Sequence, residues 1–554
     1  MINRIIKGIL RELTVVALLL LCGNLGLAQE IVDIPDEGLE EAIREVLGKP
    51  TGDITVEDME GLTELNASGR SIGTTLGLEW ATNLTLLNLR ENEFRRLTLP
   101  DGLTSLIELN LAFNELTHLR LPEGLTSLTT LNLWNNRLTD FSFLEGLTSL
   151  DELILWSNDL TDLTLPEGLT SLTRLNLADN QLSDFSFLEG NATLTELNLR
   201  YNGLTSLRLP EGLISLTTLE LQGNSLRDYS FLEGRSSLTT LSLSSHESKS
   251  LTLPEGLTSL TELNLSFTEL RDLTLPNDLT GLTTMNLSGC NLNDFSFVEG
   301  LTRLTDMVLH VERLTDFSFL EGVPNLTSLD LAHRLGLVDY ASLGGVINLT
   351  DLNLRVNRFT DLSFLEGLPK LTSLELTTFD EILPTVPEGL FNLTELSLSS
   401  SSSETRLTVP KGLSSLVKLD LRGNRLADLM FLESYSSLTE LNLSFAFLTS
   451  LTLPQGLTSL TKLKFGYNPP KLLKVPVGLN LDDLDLVGLE NTDVVYYIPF
   501  GISKSDEGIT LTWPQGTLQS TATLTGNWRN LESATSPHRV EPISFQKFFR
   551  VVAE

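Results

Sequence analysis

The stretch 106–149 reads LIELNLAFNELTHLRLPEGLTS (106–127) and then LTTLNLWNNRLTDFSFLEGLTS (128–149). The two 22-residue lines align without a gap, and each opens L-x-x-L-x-L-x-x-N: Leu106, Leu109, Leu111 and Asn114, then Leu128, Leu131, Leu133 and Asn136. Outward from here, Leu84, Leu150, Leu172, Leu194, Leu216, Leu238, Leu260, Leu282, Leu304 and Leu326 keep the same clock. Small slips carry it on through Leu349, Leu371, Leu393, Leu416, Leu438 and Leu460. A strict period of this length marks a solenoid: one coil cannot bury its apolar face alone, and stacked neighbours make the core. Such a chain is mostly surface, which favours binding over chemistry.

Within a coil the x-L-x-L-x segment alternates, so its leucines point inward and the x residues face out. Neighbouring coils then pair as parallel strands about 4.8 Å apart, and some nineteen coils give an arc of roughly 90 Å. The expected fold is an α/β solenoid with a parallel sheet on the concave face and extended or 3₁₀ structure on the convex side. Asn92, Asn114, Asn136, Asn158, Asn180, Asn202 and Asn224 should turn inward, where an amide both donates to and accepts from stranded backbone groups. The return half has two versions, L-T-L-P-E-G-L (163–169, 251–257) and F-S-F-L-E-G-L (141–147, with relatives at 185–190, 295–301 and 317–322). Phe141, Phe143, Phe185, Phe187, Phe295 and Phe297 are expected to fill the outer wall of the core, with Pro-Glu-Gly supplying the turn.

Both ends break the clock. Residues 1–28 read as a secretory signal: Arg4, Lys7 and Arg11, an apolar run Leu13 to Leu21, and a small-residue site at Gly26-Leu27-Ala28. The run is too short for a membrane span, which needs roughly 20 apolar residues. Cys22 follows bulky leucines, which disfavours lipidation. Residues 29–61 should form a helical cap, with Leu39, Ala42, Ile43, Val46 and Leu47 on the apolar face of a helix over Glu37–Leu47. Such a helix would cover the exposed strand edge and the open end of the leucine core, and Thr55 to Met59 would make a second short turn. The solenoid then spans 62–490, and 491–554 reads as a small all-β module with short strands near 510–513, 523–524, 539–540 and 548–552. Trp513, Trp528, Phe548 and Phe549 are its expected core.

The chain carries net charge −34, and removing Arg4, Lys7, Arg11 and Glu12 with the signal leaves −36. That argues against nucleic-acid binding, since phosphates are held by clustered Lys and Arg. It disfavours anionic membrane surfaces too. Beyond Cys22 the remaining cysteine is Cys290, which takes a ladder position, so stacked leucines rather than disulfides must hold the coils.

These residues resemble the leucine-rich repeat family, and L-T-D-F-S-F-L-E-G-L-T-S-L-T-x-L-N-L-x-x-N is most similar to its internalin-type branch of bacterial surface proteins. The resemblance covers about residues 31–490. It implies a curved scaffold whose concave sheet binds a protein or glycan. The stretch 508–554 is similar to a terminal β-module of large secreted bacterial proteins. No L-P-x-T-G sorting motif accompanies it.

The outward column two residues before the ladder Asn runs Arg90, Ala112, Trp134, Trp156, Ala178, Arg200, Gln222, Ser244, Ser266, Ser288, His310. Two adjacent tryptophans on an otherwise small or polar face need an explanation. Ile154 and Leu86 lie one column over, with Arg174 and Arg200 nearby. Exposed Trp and Arg dominate binding hot spots, so Trp134, Trp156, Ile154, Arg174, Arg200 and Arg90 form the candidate ligand patch. The bland alternative is that the tryptophans merely cover one another. Two acidic columns also stand out: Asp101, Glu123, Glu145, Glu167, Glu189, Glu211, Glu233 and Glu255, and Asp140, Asp162, Asp184, Asp228, Asp272, Asp294 and Asp316. Like charges at this spacing repel by about 0.8 kcal/mol per neighbour in water. A solvated face suffices to carry them, with diffuse calcium binding as the alternative. In the middle of the chain His246, Thr268, Cys290, Glu312 and Arg334 replace the ladder Asn, which with the serine run 399–403 marks a less regular stretch.

Signals for catalysis are weak. Gly69-Arg70-Ser71-Ile72-Gly73 matches a hydrolase elbow, but that chemistry needs a strand-to-helix turn with His and an acid nearby. His118, His246, His310, His333 and His538 are scattered. The sequence therefore points to a secreted, non-enzymatic scaffold recognising a protein or polysaccharide, without metal, cofactor or membrane insertion. The alternative is an adhesive surface component that uses its acidic face.

Overall fold

The computed structural model describes residues 30–310 and most of 314–476. Omitted from the latter are 315, 333–339, 358, 360, 379–384, 401–408, 411, 425, 427–428, 447, 449, 458 and 468–469. From 477 on, a set of short strands is described together with Leu479 and Ser536. The signal reading of 1–28, the module's Trp513 and Trp528, and ladder positions 312 and 334 lie outside the described residues. So do the side chains of Phe548 and Phe549.

Two compact units result, divided near residues 268–280. In the first, three-residue strands from Glu64–Asn66 to Glu262–Asn264 pair in parallel, one per coil and in one register: Leu65 sits on Leu87, Leu87 on Leu109, Leu109 on Leu131. In the second, strands from Thr284–Asn286 to Asp485–Val487 do the same. The molecule is a parallel-strand solenoid with little helix. In the coils that carry it, the ladder Asn ties neighbouring coils together. Asn136 shows how: its Nδ2 donates to Leu133 O in its own coil and to Leu111 O in the preceding one, both at 3.0 Å. Its Oδ1 accepts from Leu116 N of that preceding coil at 3.0 Å. One amide thus satisfies three backbone groups and ties two coils together. Asn92, Asn114, Asn158, Asn180, Asn202 and Asn224 are buried in the same way.

Without Asn at the ladder, the pattern changes. Thr268 donates its hydroxyl to Leu265 O at 2.8 Å, and Cys290 is buried. His246 is buried with neither ring nitrogen in a well-formed hydrogen bond, and burial holds its pKa below the usual 6.5. In the irregular stretch the strands lengthen to Asp351–Asn357, Ser373–Thr378 and Glu395–Ser400. Pairing there runs on beyond three residues, in a coil with Asn357 at the ladder position as well as in coils without Asn: Thr377 lies opposite Ser399 and Thr378 opposite Ser400.

The two return motifs give two structures. Each F-S-F-type segment makes a 3₁₀ turn, as at Ser142–Leu144, Ser186–Leu188 and Ser296–Val298. Leu-Pro-type segments stay extended and can pair, as Arg96–Thr98 does with His118–Arg120. The core expectation for the phenylalanines holds only for the first of each pair. Phe141, Phe185 and Phe295 are buried, whereas Phe143, Phe187 and Phe297 are half-buried and lean on them from outside. A 3₁₀ turn has about three residues per turn, so positions two apart point in different directions; at Tyr229 and Phe231, and at Leu362 and Phe364, both are nevertheless buried.

At the N-terminal end the helix Glu37–Leu47 buries Leu39, Ala42 and Ile43, while Val46 is left exposed. Asp36 caps it through Leu39 N at 3.1 Å, and its other carboxylate oxygen accepts from Gly73 N at 2.9 Å in the first coil's loop. Gly38 permits this docking: a Cβ there would stand 2.4 Å from Arg70 O. Arg70 reaches back to Glu41 at 3.2 Å and to Glu45. The elbow-like 69–73 segment is therefore a docking loop for the cap helix. A second helix, Val56–Glu60, follows with a Thr55–Asp58 capping box.

Parallel stacking runs past residue 490, because Asp493–Tyr497 pairs in parallel with Leu472–Pro476. Antiparallel pairing starts with Gly501–Ser505 against Gly508–Thr512. Thr517–Thr521 pairs with Phe548–Val552.

The ladder makes a paired prediction. Asn136→Ala strips partners from three buried backbone groups and should lower stability by about 2–3 kcal/mol, at roughly 1–3 kcal/mol per unsatisfied group with partial relaxation. His246→Asn, supplying the missing amide, should raise the thermal midpoint. A lower midpoint for His246→Asn would mean that the imidazole is itself a stabilising member of the ladder.

Candidate sheet-face binding site

The sheet face of the first unit carries three outward columns. Glu152, Ile154 and Trp156 show them in one coil, with Leu153 and Leu155 buried between. The middle column is mostly asparagine: Asn88, Asn110, Asn132, Asn176 and Asn198. Each accepts from the N–H two residues on, as Asn132 does from Trp134 N at 3.0 Å and Asn198 from Arg200 N at 3.1 Å. These amides set the backbone on which the third column stands, and the sequence reading had overlooked them.

Trp134 and Trp156 do stack, with ring centroids 4.5 Å apart and planes 6° from parallel. The stack is longer than the sequence reading supposed. Phe113, which lies just before its ladder Asn, packs edge-on against Trp134 at 4.3 Å. Arg90 covers Phe113 with its guanidinium 4.4 Å from the ring centroid and 5.5 Å from that of Trp134. Four residues from four successive coils thus form one half-exposed ladder, Arg90–Phe113–Trp134–Trp156. Phe113 takes φ +54°, the left-handed conformation that the residue before the ladder position also has at Glu91, Asn135, Ser157, Asp179 and Tyr201. The position before the ladder Asn also holds Tyr201, whose ring lies over Gly223, so a Cβ there would sit 2.2 Å from it. That column was the available signal.

Ile154 lies on the same face, half-buried, beside the stack. Arg174 and Arg200 are placed differently from the expectation. Arg174 is held by Asp151 at 2.8 Å and Glu152 at 3.4 Å, and these carboxylates raise its pKa against the opposing effect of burial. Arg200 is held by Glu220 at 2.7 Å. Both line a hollow of about 220 Å³ with Asn176, Asn198 and Glu196, next to the stack rather than in it. The site therefore joins a rigid aromatic ladder to a polar hollow of paired charges and amides. Aromatic stacking of this kind contributes about 0.5–1.5 kcal/mol per pair beyond burial and loses little entropy on binding.

In the second unit, the sheet face carries a charged cluster at the column's His310. Asp330 accepts from His310 Nε2 at 2.8 Å and pairs with Arg355 at 2.6 Å. Burial pushes its carboxyl up, but these two partners outweigh that and hold it below the ordinary range.

On the return side the two acidic columns separate. The glutamates at the Pro-Glu-Gly turns are exposed. The aspartates of the D-F-S-F segments do local work instead: Asp140, Asp184, Asp228, Asp294, Asp316 and Asp361 each accept from the N–H of the serine two residues on, at 2.9–3.0 Å. That bond, with the serine hydroxyl, holds the Asp140, Asp184, Asp228 and Asp316 carboxyls below their usual pKa. Among the described residues no three His, Cys, Asp or Glu side chains converge as metal ligands.

Residues 104–146, 126–164 and 148–190 match a family model described as Leucine Rich repeats (2 copies). Residues 198–315 match one described as BspA type Leucine rich repeat region (6 copies). With the solenoid geometry above, the chain belongs to the leucine-rich repeat proteins. No curated protein matches it. Solved structures similar to it include the functional domain of InlJ from Listeria monocytogenes, at 20% identity over 86% of this chain and 93% of that one, with a TM-score of 0.39. A leucine-rich repeat protein of Leptospira interrogans is 22% identical over 79% and 97%, with a TM-score of 0.44. YopM from Yersinia enterocolitica is 22% identical over 83% and 94%, with a TM-score of 0.40. The fold assignment rests on the repeat and its own strand pairing rather than on these likenesses.

The aspartate caps have a pH signature. A carboxyl whose folded pKa is depressed adds stability above the unfolded value, near 3.9, and loses it as pH falls through the folded value. The advantage of the native protein over Asp184→Ala/Asp228→Ala should therefore be full at pH 6 and decline progressively as pH falls below about 3.9 through the lower folded value. Urea unfolding midpoints across that range check it; a difference independent of pH would show that the caps do not act as carboxylates.

Proposed function

We propose that this chain is an exported, non-enzymatic recognition scaffold that binds a protein or polysaccharide on its sheet face, at the Arg90–Phe113–Trp134–Trp156 ladder and the adjoining hollow. The observation that carries the reading is the ladder itself. A solenoid with so regular a leucine core needs no aromatic rings outside it, and these four side chains lie outside the leucine core. Half-exposed stacked rings with an arginine over them have the composition of an interface hot spot. Secretion follows from the signal-like 1–28. The alternative reading, an adhesive component acting through its whole acidic face, with or without calcium, draws on the exposed glutamate column.

Labelled residues 29–554 and a Trp134→Ala/Trp156→Ala variant, applied to fractionated envelope proteins and polysaccharides, separate the two. Recognition at the ladder predicts at least tenfold weaker retention by the variant under conditions where circular dichroism shows it fully folded. Equal retention, or retention that needs calcium and ignores the tryptophans, would contradict the site and favour the acidic face.

A further inference from the structure

Residues 441–481 carry four lysines, Lys462, Lys464, Lys471 and Lys474, and no Asp or Glu, in a chain that holds 72 acids. Even the turn glutamate of the return segment is replaced there, by Gln455 in Pro454-Gln455-Gly456. The same two coils carry a second aromatic stack outside the leucine core. Phe445 and Tyr467 lie with ring centroids 4.7 Å apart and planes 15° from parallel. They occupy the position that Phe113 takes in its own coil, each in the same left-handed conformation. Unlike the half-exposed tryptophans they are open to solvent, Phe445 46% and Tyr467 87% exposed. One coil back, the equivalent position is Gly423, where an added Cβ would meet nothing but Ser400 O, at 3.2 Å. No side chain from that position covers Phe445. The outward column that holds tryptophan at 134 and 156 is reduced here to Ser444 and Gly466. Beside it, Lys464 has Asn442 and Val487 as its register neighbours, both uncharged, whereas Lys462 lies between Glu440 and Asp485.

We infer that the Phe445–Tyr467 pair and Lys464 form a second binding site, for an acidic polysaccharide that carries carboxylates on some of its sugars. The site belongs to the other compact unit and does not depend on the reading of Trp134 and Trp156. Charge selects an anion: at physiological ionic strength charges more than about 8 Å away are largely screened, so a ligand on these coils meets their lysines rather than the net charge of the chain. Two coils span roughly 9.6 Å, so the ligand has to be thin. A membrane or a folded acidic protein would also reach Asp420, Glu440 and Asp485 on the neighbouring strands. The exposed rings call for a flat apolar surface next to the anion. A uronic acid offers both in one unit, the C–H face of its ring to the aromatic pair and its carboxylate to Lys464. An acidic peptide lacks the flat face. A single-stranded nucleic acid has flat bases, but it carries a charge on every nucleotide, which the acids of the flanking strands oppose.

The test titrates native 29–554 with hyaluronate and heparosan, whose carboxylates sit on alternate sugars, at low and at physiological salt. Dextran, poly-glutamate and a single-stranded oligodeoxythymidine are measured beside them. Phe445→Ala/Tyr467→Ala and Lys464→Gln are compared with Trp134→Ala/Trp156→Ala, each checked for folding by circular dichroism. The expected result is binding of at least one uronate polymer that weakens as salt rises. Each of the first two variants should lose it at least tenfold, and the tryptophan variant should keep it. Lys464→Gln changes only a side-chain charge on the surface, and it decides the matter if the ring variant fails to fold. Binding unchanged in Lys464→Gln, binding of neither uronate polymer, or equal binding of dextran would overturn the inference. So would tighter binding of poly-glutamate or of the oligonucleotide. Loss in the tryptophan variant alone would remove this site and leave the Trp134–Trp156 face as the one that holds the polysaccharide.

Discussion

The structure depends on one constraint: a coil of this length cannot bury its own leucines and its own strand-end backbone groups. The leucines are covered by the coils above and below. The backbone groups are satisfied by the ladder asparagine, whose amide bonds its own coil and the one before it. An interior position that must donate twice and accept once leaves little choice of side chain, which is why Asn recurs there through the regular half of the chain. Where His246 stands in, neither ring nitrogen takes over that bonding.

Because the inner surface is so restricted, variation is confined to the outside, and there each face has its own logic. On the return side, aspartate and serine close the 3₁₀ turns, and the glutamates are free to accumulate charge. On the sheet face, an asparagine column fixes the turn after each strand and presents the next outward position in a repeated orientation. Identical presentation from coil to coil lets side chains from four successive coils stack at van der Waals spacing. A globular surface rarely lines up equivalent positions this way. The aromatic ladder is thus a consequence of the repeat, even though none of its residues belongs to the consensus.

The period made the fold legible from the sequence. The leucine clock, the inward asparagines, the cap helix and the two forms of the return segment all follow from spacing and turn chemistry. The site was legible in part. Trp134 and Trp156 stand out because their column is otherwise small or polar. Phe113 was missed because its position lies one residue past the column, in a left-handed turn that recurs from coil to coil and lets its ring reach Trp134 and Arg90. Arg174 and Arg200 were named for their type, but which acid holds an arginine depends on neighbours 20 to 23 residues away, on other coils. Phe143, Phe187 and Phe297 failed for a local reason: the 3₁₀ turn points residues two apart in different directions.

The central claim is that the sheet face around Trp134 and Trp156 is where a partner sits. Hydrogen–deuterium exchange of residues 29–554, free and saturated with the envelope component it retains, tests this most directly. The account predicts that added protection is centred on the strand ends and turns at 110–114, 132–136, 154–158 and 176–180, with the return segments unchanged. Protection centred on the return turns at 141–147 and 163–169 instead would contradict it.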